Sequence, residues 1–394
     1  MTNPDTSNLV GGAPVCDRLC AVETLKAGSR PALHLLAVSG EVRSILARLA
    51  TAIVTTLATA VLWAAGVKAD DLGWSQLPPL PDALGFAGAF AGVSGGALLV
   101  AGGANFPDKM PWEGGKKVWH DTVFALNKTN GAWRVVGKLP RPLGYGVSLT
   151  TKQGVLCIGG SDAERHHAAV FLLLHSRAKL KLKPLPPLPV PLASGAGALM
   201  GEVAYVTAGA DKPGEQSALN RFFALDLAKR KPAWQELEAC PGEARILPVA
   251  SAAEGVFYLA GGAALRATNG VVKRFYLRDA WRFTPGQKWE RLPDLPKPSV
   301  AAPSPAPVLD STILLLGGDD GSLVGFQPLD QHPGFPRTVQ TFDLRSGQWT
   351  QFNGLPAPRA VQPMVEWQGR FVFPSGEVRP GVRSPEVWAL QGHR

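Results

Sequence analysis

Between residues 74 and 391 the chain is a succession of short patterned runs separated by turns. Runs such as "DTVFALN" (121–127), "DAWRFT" (279–284) and "QTFDLR" (340–345) alternate apolar and polar positions. That is the period of a strand with one buried face. Five other runs are apolar and end in small residues: "LLVAGGANF", "LCIGGSDAE", "YVTAGADKP", "FYLAGGAAL" and "LLLGGDDGS". A sixth, "FVFPSGEVRPGVRS" (371–384), ends in Ser375-Gly376-Glu377, and Arg383 follows six residues later across a Pro-Gly turn. The pattern predicts many short antiparallel strands rather than long amphipathic helices.

The runs repeat. A tryptophan lies seven residues before a proline in Trp74/Pro81, Trp133/Pro140, Trp234/Pro241, Trp289/Pro296 and Trp349/Pro356, and Leu182/Pro189 makes a sixth copy without the indole. From each opener to the second small residue of the next strand end (Gly103, Gly160, Gly209, Gly262, Gly318, Gly376) the gaps are 29, 27, 27, 28, 29 and 27 residues. Each unit reads as four strands: one after the proline turn, one ending in the glycine doublet, one after a variable loop, and the Trp strand. Glycine at the doublet allows backbones to approach where a Cβ would clash. A unit of about 50 residues with these marks is a kelch blade, and such blades ring a central channel. Because the chain would begin, after cleavage, with a fourth strand, "WSQLPPLP", and stops after a third, "EVWALQ", the first strand is expected to complete the last blade and leave no long edge. The expected fold is an all-β, six-bladed kelch-type β-propeller over residues 70–394.

Composition narrows the picture. With 44 Gly, 35 Pro and only 18% charged residues in 394, turns are frequent and long polar helices are not expected. The formal charge of +9 suits an anionic small molecule or a polyanion. No Lys/Arg run is interleaved with aromatics, so nucleic acid is not an expected partner. Arg43 and Arg48 precede a 19-residue uncharged run, "LATAIVTTLATAVLWAAGV", followed by Val67-Lys68-Ala69. This reads as an export signal cut after Ala69, giving a periplasmic or secreted protein with no stable membrane association. An uncleaved anchor is the competing reading. Cys16 and Cys20 fall in residues 1–69, and Cys157 and Cys240 read as buried thiols rather than a disulfide framework.

In a propeller the loops from strand two to three and those between blades share one face. Residues after the glycine doublets (Asn105, Asp162, Asp211, Asp319, Asp320, Glu377) and in the blade-to-blade turns (Arg141, Tyr145, Arg245, Arg359) are therefore expected to converge. At a water-poor mouth Glu377 can serve as a general base and Arg383 can grip a carboxylate. From composition alone, a loop salt bridge between the two is the commoner outcome. Asp319-Asp320 reads more readily as an Asp-Asp-Gly turn than as a metal site. His166 and His167 are adjacent, so they point to opposite sides of an extended chain and do not share a ligand.

The stretches "GFAGAFAGVSGGALLVAGGANFP", "YGVSL" (145–149), "VPLASGAGAL" (190–199) and above all "GEVRPGVRS" (376–384) resemble the N-acetylneuraminate epimerases, exported kelch propellers also called sialic acid mutarotases. The blade order resembles a cyclically permuted branch of that family. The resemblance implies that Glu377 and Arg383 are the catalytic pair and that "PGEARILP" makes Arg245 a pocket cation. Asn105, Tyr145 and Arg359 join it as expected substrate contacts. It also implies a sialic acid as the anionic substrate, interconverted between α and β anomers by acid–base ring opening, with no cofactor and no metal. Where family members commonly carry an arginine beside the tyrosine, this chain has Leu143-Gly144. The main alternative is a non-catalytic glycan- or protein-binding scaffold. A copper-radical oxidase would need paired Tyr and His with a cysteine, and a sialosidase would need Ser-x-Asp-x-Gly-x-x-Trp boxes.

Overall fold

Strand pairing follows the sequence period closely. In the computed structural model, which describes Val67 and residues 72–392 except Ala178 and Glu215, six four-stranded antiparallel sheets form. Blade 1 holds Phe90–Ser94, Ala97–Ala101, Thr122–Leu126 and Arg134–Lys138; blade 2 holds Val147–Thr150, Val155–Ile158, Val170–Ser176 and Lys179–Leu185. Blade 3 is Ala196–Met200, Val203–Thr207, Phe222–Asp226 and Trp234–Leu237, and blade 4 is Val249–Ala253, Val256–Ala260, Ala280–Phe283 and Glu290–Leu292. Blade 5 comprises Val308–Leu309, Thr312–Leu316, Thr338–Asp343 and Gln348–Asn353. Blade 6 takes Val365–Trp367, Arg370–Pro374 and Val387–Gln391 from the C-terminal end and Trp74–Leu77 as its outer strand, with Trp74 opposite Leu390. The molecule is a six-bladed β-propeller closed by its N-terminal strand. The proposed leader and Cys16 and Cys20 lie outside the described residues, apart from Val67, and no helix among those described is long and apolar enough to cross a membrane.

Three devices repeated around the ring hold the blades together. At the inner rim, the residue that leads into each first strand has a positive φ: Gly88, Tyr145, Ser194, Leu247, Ala301 and Val361, between 52° and 64°. The backbone N–H of each donates to the carbonyl of its counterpart in the preceding blade: Tyr145 to Gly88, Ser194 to Tyr145, Leu247 to Ser194, Ala301 to Leu247, Val361 to Ala301 and Gly88 to Val361. These six bonds, 2.7–2.9 Å long, form a closed circle. Five non-glycine residues in the left-handed region cost roughly 1–2 kcal/mol each, a cost the circle helps to offset.

The glycine doublets sit just above. Both residues of each doublet have positive φ, and Ala208 and Ser375 show that the first place accepts a side chain in blades 3 and 6. It does not in blade 1, where a Cβ on Gly102 would lie 2.2 Å from the Leu143 carbonyl oxygen. At the outer rim the repeat tryptophans act as latches. The indole N–H groups of Trp133, Trp234, Trp289 and Trp349 donate to the carbonyls of Pro78, Pro186, Glu238 and Pro293, 2.7–2.9 Å away. Each acceptor stands four residues after the opener of the preceding blade. Leu182 has no N–H to offer, and the Trp74 Nε1 is buried without a partner. Between blades the core is apolar, as in the cluster of Tyr205, Phe222, Phe257, Phe283 and Trp289. Cys157 and Cys240 are buried free thiols.

Candidate active site

The residue directly after each doublet pairs with the blade-to-blade turn, giving six equivalent backbone bridges: Ala87 with Ala104, Gly144 with Ser161, Ala193 with Ala210, Ile246 with Ala263, Val300 with Asp319 and Ala360 with Glu377. Four of the six positions carry Ala or Ser. Acids stand in the other two, Asp319 and Glu377, in neighbouring blades. The next residue along, where Asn105, Asp162, Asp211 and Asp320 lie, faces the other side of an extended chain.

Glu377 begins a two-stranded ribbon, Glu377–Arg379 with Val382–Arg383, in which Glu377 and Arg383 are directly opposite. Their side chains meet, Arg383 Nη2 to Glu377 Oε1 at 2.7 Å, with the arginine 3% and the glutamate 16% exposed. The loop salt bridge expected from composition therefore exists. It is not a saturated one. Arg383 Nε and Nη1 are buried without a hydrogen-bond partner, and the guanidinium lies 4.6 Å from the centroid of the Phe106 ring. Buried N–H groups normally find acceptors, and an orphan costs about 1–3 kcal/mol. Burial raises the Glu377 pKa above the ordinary glutamate value, against the pull of Arg383, Lys117 and Arg274. One carboxylate thus sits among three cations.

Ser375 fixes this ribbon. Its Oγ, fully buried, accepts the Phe86 N–H at 2.6 Å and lies 2.7 Å from the Ser384 carbonyl oxygen and 2.9 Å from that of Phe86. One hydroxyl thereby ties the start of the ribbon to its end and blade 6 to blade 1. Arg379 Nη1 donates to the Asp330 carbonyl, securing the far side.

The other expected contacts fall in two groups. Tyr145 belongs to the mouth: it lies on the inner circle, its Oη is buried without a partner, and the Lys117 ammonium sits 5.0 Å from its ring centroid. Asn105, Arg245 and Arg359 have hydrogen-bond partners within the fold. Asn105 Nδ2 donates to the Gly85 carbonyl and its Oδ1 meets His120 Nε2 at 2.8 Å, because its place in the doublet loop turns it into the blade. Arg245 donates to both oxygens of Asp279 (2.7 and 2.6 Å) and to the Gly261 and Glu243 carbonyls. The Trp281 indole completes that acid at 2.6 Å. Arg359 repeats the arrangement in blade 6 with Glu386 and the Trp388 indole. In both cases a turn arginine binds the acid just before the third strand of the following blade, which makes it a blade staple. Burial works upward on Asp279, yet Arg245 and Trp281 hold it below the usual carboxylate range.

Asp319-Asp320-Gly321 is a turn, with Gly321 N–H on Asp319 Oδ1 and Ser322 N–H on Asp320 Oδ1. Asp319 also receives the Tyr276 hydroxyl at 2.6 Å. Burial and this acid push the phenol pKa up. Asp162 closes its own loop through Glu164 and Arg165 N–H groups and His167, while His166 turns away to the Ala210 carbonyl. Sequence reasoning missed Lys117 and Arg274. Both lie in variable loops folded into ribbons, Ala104–Asn105 with Val118–Trp119 and Ala263–Thr268 with Val271–Tyr276, where no repeat position marks them. The Asn269-Gly270 pair in the second was the available turn signal.

The axial cavity below the mouth is about 70 Å³, lined by the circle residues. That is room for several ordered waters.

The sequence profile of N-acetylneuraminate epimerase matches residues 32–182 and 185–327. The chain belongs to the N-acetylneuraminate epimerase family. Among curated relatives, the N-acetylneuraminate epimerase of Salmonella enteritidis PT4 is 45% identical over 123 residues, 27% of this chain and 32% of that protein. That of Yersinia enterocolitica serotype O:8 is 40% identical over 123 residues, 27% and 31% of the respective chains. The matched part thus spans about a third of the length of these relatives. The solved structure of YjhT superposes with a TM-score of 0.58 at 14% identity, covering 79% of this chain and 95% of that one, which supports the shared fold. Glu377 and Arg383 lie beyond the stretch matched to the epimerase profile.

Proposed function

We propose that this protein is a mutarotase that interconverts the α and β anomers of N-acetylneuraminate. The observation that carries the reading is the Glu377–Arg383 pair: a carboxylate of raised pKa, 2.7 Å from a buried guanidinium with two unpartnered nitrogens. Family membership supplies the substrate class.

Mutarotation needs a proton taken from the anomeric hydroxyl and one given to the ring oxygen. Glu377 accepts the first. The oxygen lone pair then forms the C2 carbonyl as the C2–O6 bond breaks, and the electron pair of that bond goes to the ring oxygen, which takes a proton from water at the open mouth. Rotation about the bond to C2 and reclosure by the reverse steps give the other anomer. Arg383 holds the substrate carboxylate through its unpartnered N–H groups, as guanidinium suits planar anions. Positive potential from Lys117, Arg274 and Arg383 favours an acid over a neutral sugar. The reaction proceeds slowly in water, so the 10²–10⁴-fold typical of acid–base help is adequate.

Proton NMR of freshly released α-anomer tests this directly: the protein is expected to shorten equilibration, and Glu377→Gln to abolish most of the gain. Equilibration at the buffer rate would remove the proposal. As an exported protein of the periplasm or cell exterior, the mature domain we infer is 70–394.

A further inference from the structure

Lys117 stands out among the cations around Glu377. Arg383 is ion-paired with that carboxylate, whereas Lys117 has no carboxylate within 4.0 Å among the described residues. It is not loose. It precedes Val118–Trp119, the strand paired with Ala104–Asn105, and Asn105 is buried and bonded to Gly85 and His120. Its ammonium lies 5.0 Å from the Tyr145 ring centroid and 5.5 Å from that of Trp119, within the range of cation–π attraction. Two ring faces therefore hold a half-buried cation in place, and its charge reaches Glu377. Next to it is the buried, unpartnered Tyr145 hydroxyl.

Arg383 cannot receive an arriving anion alone. It is 3% exposed, one nitrogen is bonded to Glu377 and one face is covered by Phe106. An acid arriving at the mouth meets a pre-positioned ammonium before it meets a guanidinium lodged behind a glutamate.

We propose that Lys117 is the specificity-determining cation of this site: it captures the carboxylate of the sugar acid and shares it with Arg383, and the aromatic pair Trp119 and Tyr145 holds it there. This rests on the reading of the mouth as a sugar-acid site. The assignment makes Lys117 a binding group rather than a proton-transfer group. Its loss should fall more on affinity for the acid than on turnover of bound substrate.

The test uses the full-length protein and titration calorimetry with the 2,3-unsaturated glycal of N-acetylneuraminate, which has no anomeric hydroxyl and cannot exchange, and with its methyl ester. Wild type should prefer the acid to the ester. Lys117→Met should weaken acid binding about tenfold or more and leave ester binding unchanged, which erases the preference, and Lys117→Arg should keep most of it. In anomer exchange, Lys117→Met should raise KM by a larger factor than it lowers kcat. Wild-type acid affinity in Lys117→Met overturns the proposal, as does an equal loss of acid and ester, which would mark a packing role. Absence of an acid preference in wild type overturns it too. If the calorimetric pattern holds while wild type fails to speed exchange, the mutarotase reading fails and the Lys117 assignment stands.

Discussion

A single carboxyl decides how this ring differs from its own repeats. Five blades place Ala, Ser or a hydrogen-bonded Asp directly after the doublet; the sixth places Glu377. Burial raises its pKa, so the ionised form that accepts a proton is lost, as pH falls, at a higher pH than an ordinary glutamate would lose it. The acid limb of kcat/KM should therefore lie above the usual glutamate range, and a limb at or below that range would contradict the base role. Ser375 offers a second residue-scale test. Ala208 occupies the same left-handed place in blade 3, so Ser375→Ala is conformationally permitted and removes only the hydroxyl. The Phe86 N–H then loses its acceptor, which should cost about 1–3 kcal/mol in denaturant unfolding and slow exchange through a looser ribbon. Unchanged stability would show that the hydroxyl carries little.

At the scale of elements, the tryptophan latches and the arginine staples make opposite kinds of prediction. Trp289→Phe removes the indole bond to the Glu238 carbonyl, whereas Trp74→Phe removes an N–H that is already unpartnered. The first should cost about 1 kcal/mol more than the second, and equal costs would refute the latch. Arg245→Met leaves Asp279 buried and unpaired and should destabilise by about 3–5 kcal/mol, with KM unchanged in the folded fraction. A raised KM at intact stability would restore Arg245 to substrate binding. The repeat elements were legible in sequence because each strand carries its own period and each opener its own spacing. The roles of Asn105, Arg245 and Arg359 were not. A polar residue in a propeller loop looks the same whether it faces the axis or the blade, and that choice is set by distant partners such as Asp279 and Glu386. Lys117 and Arg274 were hidden for a related reason: the ribbons that aim them at the mouth pair residues within variable loops.

For the whole molecule, closure is the organising fact. The first strand described, Trp74–Leu77, is the outer strand of blade 6, and the circle of six backbone bonds returns from Val361 to Gly88. Closure also brings Ser375 of the last blade against Phe86 of the first, so the candidate site is built on the seam. The closing strand was readable because the repeated pattern opens on a Trp strand and ends on a third strand; the backbone circle was not, since five of its six members are not glycine. The measurement that bears most directly on the account is proton NMR of α-to-β exchange in freshly released N-acetylneuraminate, comparing wild type with Glu377→Gln. The account predicts exchange well above the buffer rate for wild type and a loss of about 10²–10⁴-fold in the variant. Equal rates in the two proteins would contradict it.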